Sequence, residues 1–284
     1  RLAARSLATF ILRAALCDSA RMSNAATTGL CCDALTVSVP GRKLVDALTI
    51  DVRPGEFLAI LGPNGVGKSL TLHTLSGIRP ALAGTVRLDG SSIADVRRQR
   101  IATRLALLPQ YTEDIFPATV FDTVMIGRHP HIGHLRWESN EDRAIAMDAL
   151  RQVDLGELAS RDVNTLSGGE RRRLAVAQVL TQSPEIYLLD EPTNHLDPQH
   201  QLDVLELFTR KTRQGDSVVA SLHDVNLAAR YADRCLLLYG DGRWNVGDAK
   251  EILTGERLTK LYATQMDTIP WRDMNLFVAA GSSA

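Results

Sequence analysis

Residues 62–69 read GPNGVGKS, directly after the apolar run Phe57–Leu61. A strand that ends in such a glycine-rich loop and passes at once into a helix, here 69–77, restricts the chain to parallel α/β architecture. The glycines let consecutive backbone N–H groups turn inward around phosphate oxygens without Cβ clashes. The following helix adds about half a positive charge at its N-terminus. Gly62, Pro63, Asn64, Gly65, Val66, Gly67, Lys68, Ser69 and Leu70 are therefore assigned to a polyphosphate cradle. Lys68 is the point charge for the β and γ phosphates, and the Ser69 hydroxyl is a ligand for Mg²⁺.

Residues 186–192, IYLLDEP, carry the complementary chemistry. Four apolar residues running into two carboxylates describe a buried parallel strand that delivers charge to its C-terminal edge. Asp190 is placed to hold Mg²⁺, directly or through water, and Glu191 to accept a proton from, or orient, an attacking water. Between the two strings lies LSGGE, at 166–170, where Ser167, Gly168 and Gly169 open a helix and present a second anion-receiving N-terminus. The outer strings build one ATP-hydrolysing site within the chain. The middle one has no evident work unless a second copy faces it.

With these residues in place the chain resembles an ABC-transporter ATPase over roughly residues 35–264. The resemblance implies a P-loop NTPase fold: a RecA-like parallel core sheet, an antiparallel β-subdomain and a helical signature subdomain. It further implies that two subunits pack head to tail, each LSGGE capping the γ-phosphate held by the opposite cradle. Gln110 then corresponds to the Q-loop glutamine, touching Mg²⁺ and the attacking water, and His223 to the switch histidine on the γ-phosphate. NHLD at 194–197 matches the D-loop, with Asp197 near the dimer seam. The family usually stacks an aromatic residue on adenine; Val39 stands in that place here, which predicts poor discrimination between ATP and GTP. The segment 119–133 and the pair His200-Gln201 resemble importer ATPases for iron–siderophore, haem or cobalamin complexes. The partners so implied are a transmembrane permease and, indirectly, a periplasmic substrate-binding protein. The location implied is the cytoplasmic face of the inner membrane.

The rest of the sequence narrows the alternatives. A net charge of -1 excludes the basic excess of a general nucleic-acid binder. A soluble ATPase of the DNA-repair type needs a long coiled-coil insertion between cradle and signature, and only about a hundred residues are there, without sustained heptads. A ribosome-acting factor needs two such engines, and a simple P-loop kinase leaves LSGGE and His223 unexplained. An importer ATPase for another small solute stays open. No apolar stretch approaches the roughly 20 residues of a membrane helix.

Residues 1–31 are read as a leader, with Met22 as the start, 32–264 as the ATPase domain and 265–284 as a short tail packing back on the core. Within the domain, 35–52 and 84–88 read as antiparallel strands, 111–181 as the helical subdomain and 141–153 as its clearest amphipathic helix. The basic run Arg171–Arg173 is read as the solvated face of a helix. His129, His131 and His134 are read as a permease-docking loop in preference to a metal site. Cys17, Cys31, Cys32 and Cys235 show no metal-ligand spacing and suit a reducing compartment.

Overall fold

The computed structural model describes residues 29–110, 117–133, 136–272 and 274–280. The leader through residue 28, with Cys17 and Met22, and His134 lie outside the described residues.

One sheet is antiparallel. It is built from β1 (Leu30–Val39), β2 (Arg42–Val52), β4 (Ala83–Leu88) and β5 (Ser91–Ser92), in the order β2-β1-β4-β5. Its first rung corrects the leader boundary: Leu30 pairs with both Val52 and Leu88 and is 1% exposed. An apolar residue closed in between two strands belongs to the core, which is why the strand begins earlier than its alternation suggests.

The second sheet holds the site. Its strands are β3 (Phe57–Leu61), β6 (Leu105–Leu108), β7 (Ile186–Asp190), β8 (Ser217–Ser221), β9 (Arg234–Leu238) and β10 (Trp244–Asp248), in the order β10-β9-β3-β8-β7-β6. Strands β3, β6, β7, β8 and β9 run parallel, as the apolar runs ending in the cradle and in the two acids predict for β3 and β7; β10 pairs antiparallel with β9 along the edge. The apolar runs follow from burial of both faces. Phe57, Ala59 and Leu61 point into the cluster shared with the helical region, while Leu58 and Ile60 point into the cluster shared with the antiparallel sheet.

The helices are α1 (Lys68–Leu75), α2 (Arg98–Arg104), α3 (Val120–Met125), α4 (Asn140–Gln152), α5 (Gly168–Thr181), α6 (Pro198–Arg213), α7 (Val225–Tyr231), α8 (Ala249–Ile252) and α9 (Gly255–Tyr262). Helices α3, α4 and α5 pack on one another and bury Val120, Val124, Ala146, Leu150, Val176 and Leu180. Each starts with a capping box, from Thr119, Ser139 and Ser167, that satisfies N–H groups the helix itself leaves open. The segment read as a short tail folds into a hairpin of β11 (Met266–Trp271) and β12 (Met274–Ala279). Phe277 is buried, and its backbone N–H and C=O are both bonded by the side chain of Asn226. No helix among the described residues is long and apolar enough to cross a membrane.

Candidate functional site

A cavity of about 570 Å³ opens at the carboxyl ends of β3, β7 and β8. One wall is the loop from β3 to α1, with Asn64, Gly65, Gly67, Lys68, Ser69 and Leu70; across from it stand Gln110, Glu191, Asn194 and His223. The loop is pinned at its start, because Gly62 has φ +153 and a Cβ there would lie 2.4 Å from the Leu238 carbonyl oxygen. Only glycine allows β9 to approach so closely. Lys68 is 5% exposed, and its Nζ donates to the carbonyls of Gly62 at 2.8 Å and Pro63 at 3.2 Å. Burial lowers its pKa, opposed by the negative charges of Glu191 and Asp190.

The two acids do different things. Asp190 is 1% exposed; its Oδ1 accepts from Ser221 Oγ at 2.7 Å, while its Oδ2 is buried without a partner. A buried carboxylate oxygen left open is costly unless something cationic or protic meets it. The open Asp190 oxygen suits Mg²⁺, a hard cation that takes oxygen ligands, and the Ser69 hydroxyl group, which lines the cavity next to Lys68, is a ligand of the same kind. Glu191 faces the cavity. Its Oε1 is 2.5 Å from His223 Nε2, and its Oε2 accepts from Gln110 Nε2 at 2.7 Å and from Asn194 Nδ2 at 3.3 Å. Its backbone has φ +50, the left-handed region, which costs a residue with a Cβ about 1 kcal/mol or more.

The signature lies elsewhere. Ser167 and Gly168 are exposed at the start of α5, and neither they nor Gly169 lines this cavity. Ser167 instead caps its helix: its Oγ accepts from Glu170 N at 3.3 Å, and Glu170 Oε2 accepts from Ser167 N at 2.7 Å. The capping pattern S-x-x-E was legible within LSGGE and explains the glutamate independently of any ligand.

The arginine run that follows departs from its sequence reading as a solvated face. Arg172 is 5% exposed, and Arg171 and Arg173 are half-buried. Arg173 Nη1 donates to the Val153 carbonyl at 2.8 Å, and Arg171 Nη2 to that of Asn164 at 2.9 Å. Arg172 reaches furthest. Its Nη2 donates to the carbonyls of Asp190 at 2.5 Å and Glu191 at 2.8 Å, its Nη1 to those of Pro109 at 2.7 Å and Gln110 at 3.3 Å, and its Nε to that of Pro192 at 3.4 Å. Burial draws its pKa down to about 10, against the pull of the Asp190 and Glu191 charges. Three charges in a row point to solvent only where the helix has a free face, and α5 is packed on most sides.

Other expected residues fall as follows. Val39 lines the cavity with Arg42 and Leu44, and no aromatic does so among the described residues. Arg42 is held by the Gly240 carbonyl, through Nε at 3.0 Å and Nη2 at 2.6 Å. Asp197 caps α6, with its Oδ2 2.7 Å from His200 Nδ1. His131 Nε2 is 2.7 Å from the Gln182 carbonyl, and no cluster of three metal-ligating side chains occurs among the described residues. Cys32 and Cys235 are buried thiols whose pKa burial pushes up to about 12.

A family model described as ABC transporter matches residues 45–194. The hemin import ATP-binding protein HmuV of Streptomyces coelicolor is 40% identical over 236 residues, covering 83% of this chain and 84% of that protein. The ferric enterobactin transport ATP-binding protein FepC of Escherichia coli is 39% identical over 230 residues, covering 80% and 84%. Among solved structures, a metal-chelate type ABC transporter in an inward-facing conformation superposes with a TM-score of 0.77 at 29% identity, over 90% of this chain and 98% of that one. A dimeric post-hydrolysis ATP-binding cassette, MJ0796 bound to ADP and Pi, superposes with a TM-score of 0.67 at 25% identity, over 78% and 98%.

Proposed function

The chain belongs to the ABC transporter family, and on that premise we propose that it is the ATP-hydrolysing subunit of an importer of a metal chelate such as haem or a ferric siderophore. The observation that carries the enzymatic part is the convergence on one cavity of the cradle, with Lys68, and of Glu191 with Gln110 and His223 on its two oxygens. The chelate part rests on the relatives that import haemin and ferric enterobactin. Nothing in the cavity would touch such a cargo.

Phosphates enter between the loop N–H groups, the dipole of α1 and Lys68, which replace solvent around the triphosphate. Ser69, Asp190 and Gln110 would hold Mg²⁺, which when bound neutralises charge across the outer phosphate oxygens. Glu191 accepts a hydrogen bond from the attacking water and draws off its proton, while Gln110 and His223 fix its two oxygens. Ser167, Gly168 and Gly169 serve the nucleotide of a second copy, so that two composite sites close a homodimer and hydrolysis reopens it. A transmembrane permease carries that motion, with the subunit at the cytoplasmic face of the inner membrane and a periplasmic binding protein delivering the chelate.

Glu191→Gln tests the chemistry. Turnover falls about a thousandfold, roughly 4 kcal/mol of transition-state stabilisation, while nucleotide stays bound. Unchanged turnover would rule out Glu191 as the carboxylate that activates water. For cargo, a strain lacking the subunit fails to grow on haem or a ferric siderophore as sole iron source; growth at the parental rate on every such chelate removes that assignment.

A further inference from the structure

We propose that Arg172 is a positioning residue that couples the start of the signature helix to the hydrolytic carboxylate of its own subunit, so that the two composite sites of the dimer respond to each other. The inference rests on the composite-site reading above. It deepens that reading by naming the residue through which one site senses the other.

Three observations support it. The N-terminus of α5 is exposed at Ser167 and Gly168, whereas Arg172, on the next turn of the same helix, is buried. A capped helix moves as a rigid piece, so force on its exposed end arrives at the guanidinium. That one planar group then bridges two catalytic loops: the carbonyls of Asp190, Glu191 and Pro192 on one side, and those of Pro109 and Gln110 on the other. The side chains of Glu191 and Gln110 meet at 2.7 Å, so the same group sets the spacing of the pair facing the attacking water.

The Glu191 backbone makes this linkage consequential. Its left-handed conformation is held from both sides, by Ser221 Oγ on its N–H at 2.9 Å and by Arg172 Nη2 on its C=O at 2.8 Å. A conformation that its surroundings impose responds when one of those surroundings shifts. When the partner's γ-phosphate seats on Ser167 and Gly168, α5 moves Arg172, and Arg172 moves the peptide that aims Glu191. Each subunit's carboxylate is thereby set by the nucleotide it does not hold. A planar fork of five donors suits this bridge, and a lysine ammonium cannot span both loops.

The test uses the full chain, with steady-state ATP hydrolysis against ATP concentration and binding of a fluorescent ATP analogue. In Arg172→Met, analogue affinity stays within about twofold, kcat falls about tenfold or more, and the Hill coefficient, between one and two in the parent, drops to one. Arg172→Lys keeps the charge and loses the bridge; its Hill coefficient also drops to one, with a smaller loss in kcat. It serves as the deciding variant should Arg172→Met fail to fold. A folded variant that hydrolyses slowly with the parental Hill coefficient overturns the proposal, since Arg172 would then only shape its own site. A parent chain with a Hill coefficient of one and a rate per subunit unaffected by dilution removes the composite-site reading itself.

Discussion

Two buried guanidiniums sit at opposite edges of the same parallel sheet, and they are satisfied in opposite ways. At the amino edge, Arg234 opens β9 and lies 3.1 Å from Glu56 Oε1; the acid is 5% exposed and also accepts from the Arg53 N–H at 2.9 Å. At the carboxyl edge, Arg172 lies near two carboxylates yet bonds only to backbone carbonyls. Where a charge has only to be buried safely, it is met by an opposite charge. At the carboxyl edge, where the proposed hydrolysis needs free carboxylates, the nearby cation is occupied by neutral oxygens and the acids stay available. The amino edge thus pairs its charges for stability, and the carboxyl edge leaves its acids open for the proposed reaction.

Removing the amino-edge cation gives the largest stability effect. Arg234→Met leaves Glu56 buried and unpaired, and the expected loss is about 3–5 kcal/mol in urea unfolding, with turnover of the folded fraction within about twofold. Collapsed turnover at parental stability would break the division between the edges. Ser221→Ala deprives Asp190 of a donor and the Glu191 N–H of its acceptor; unfolding measurements should show about 1–3 kcal/mol lost, and turnover should fall further than that loss implies. Ser167→Ala removes one helix cap, worth about 1 kcal/mol, and leaves nucleotide binding by the isolated chain as it was.

The smallest effect is one of pH. Hydrogen bonds from Ser139 and Arg128 hold the Asp142 carboxyl down at about 2. A depressed folded pKa contributes stability that is complete above the ordinary carboxylate value near 4 and is lost as pH falls towards 2. Acid titration followed by circular dichroism should therefore show a component below pH 4 that Asp142→Asn abolishes. An unchanged acid limb in that variant assigns the transition to other groups.

These two edges also mark what could be read in advance. Strands β3 and β7 were legible because burial on both faces leaves uninterrupted apolar runs, and their terminal loops carry the glycines and acids that phosphate chemistry needs. Arg172 was illegible because its carbonyl partners lie on loops 18 to 63 residues away in sequence, and nothing in three adjacent arginines says which one turns inward. Strand β10 escaped notice because WNVGD has no clear alternation, and it is recruited by its pairing with β9. The hairpin of β11 and β12 was hidden for a related reason. Its outer positions include exposed Ile269, Trp271 and Val278, and Pro270 interrupts the run.

The left-handed backbone at Glu191 has a bearing on protein engineering. Glycine or asparagine would sit there with less strain, so a screen that ranked variants by heat resistance alone would favour them. If Glu191 is the hydrolytic carboxylate proposed above, the sturdiest molecules recovered from such a screen would be inert, and any hardening of this scaffold has to be scored on phosphate release as well as on melting temperature.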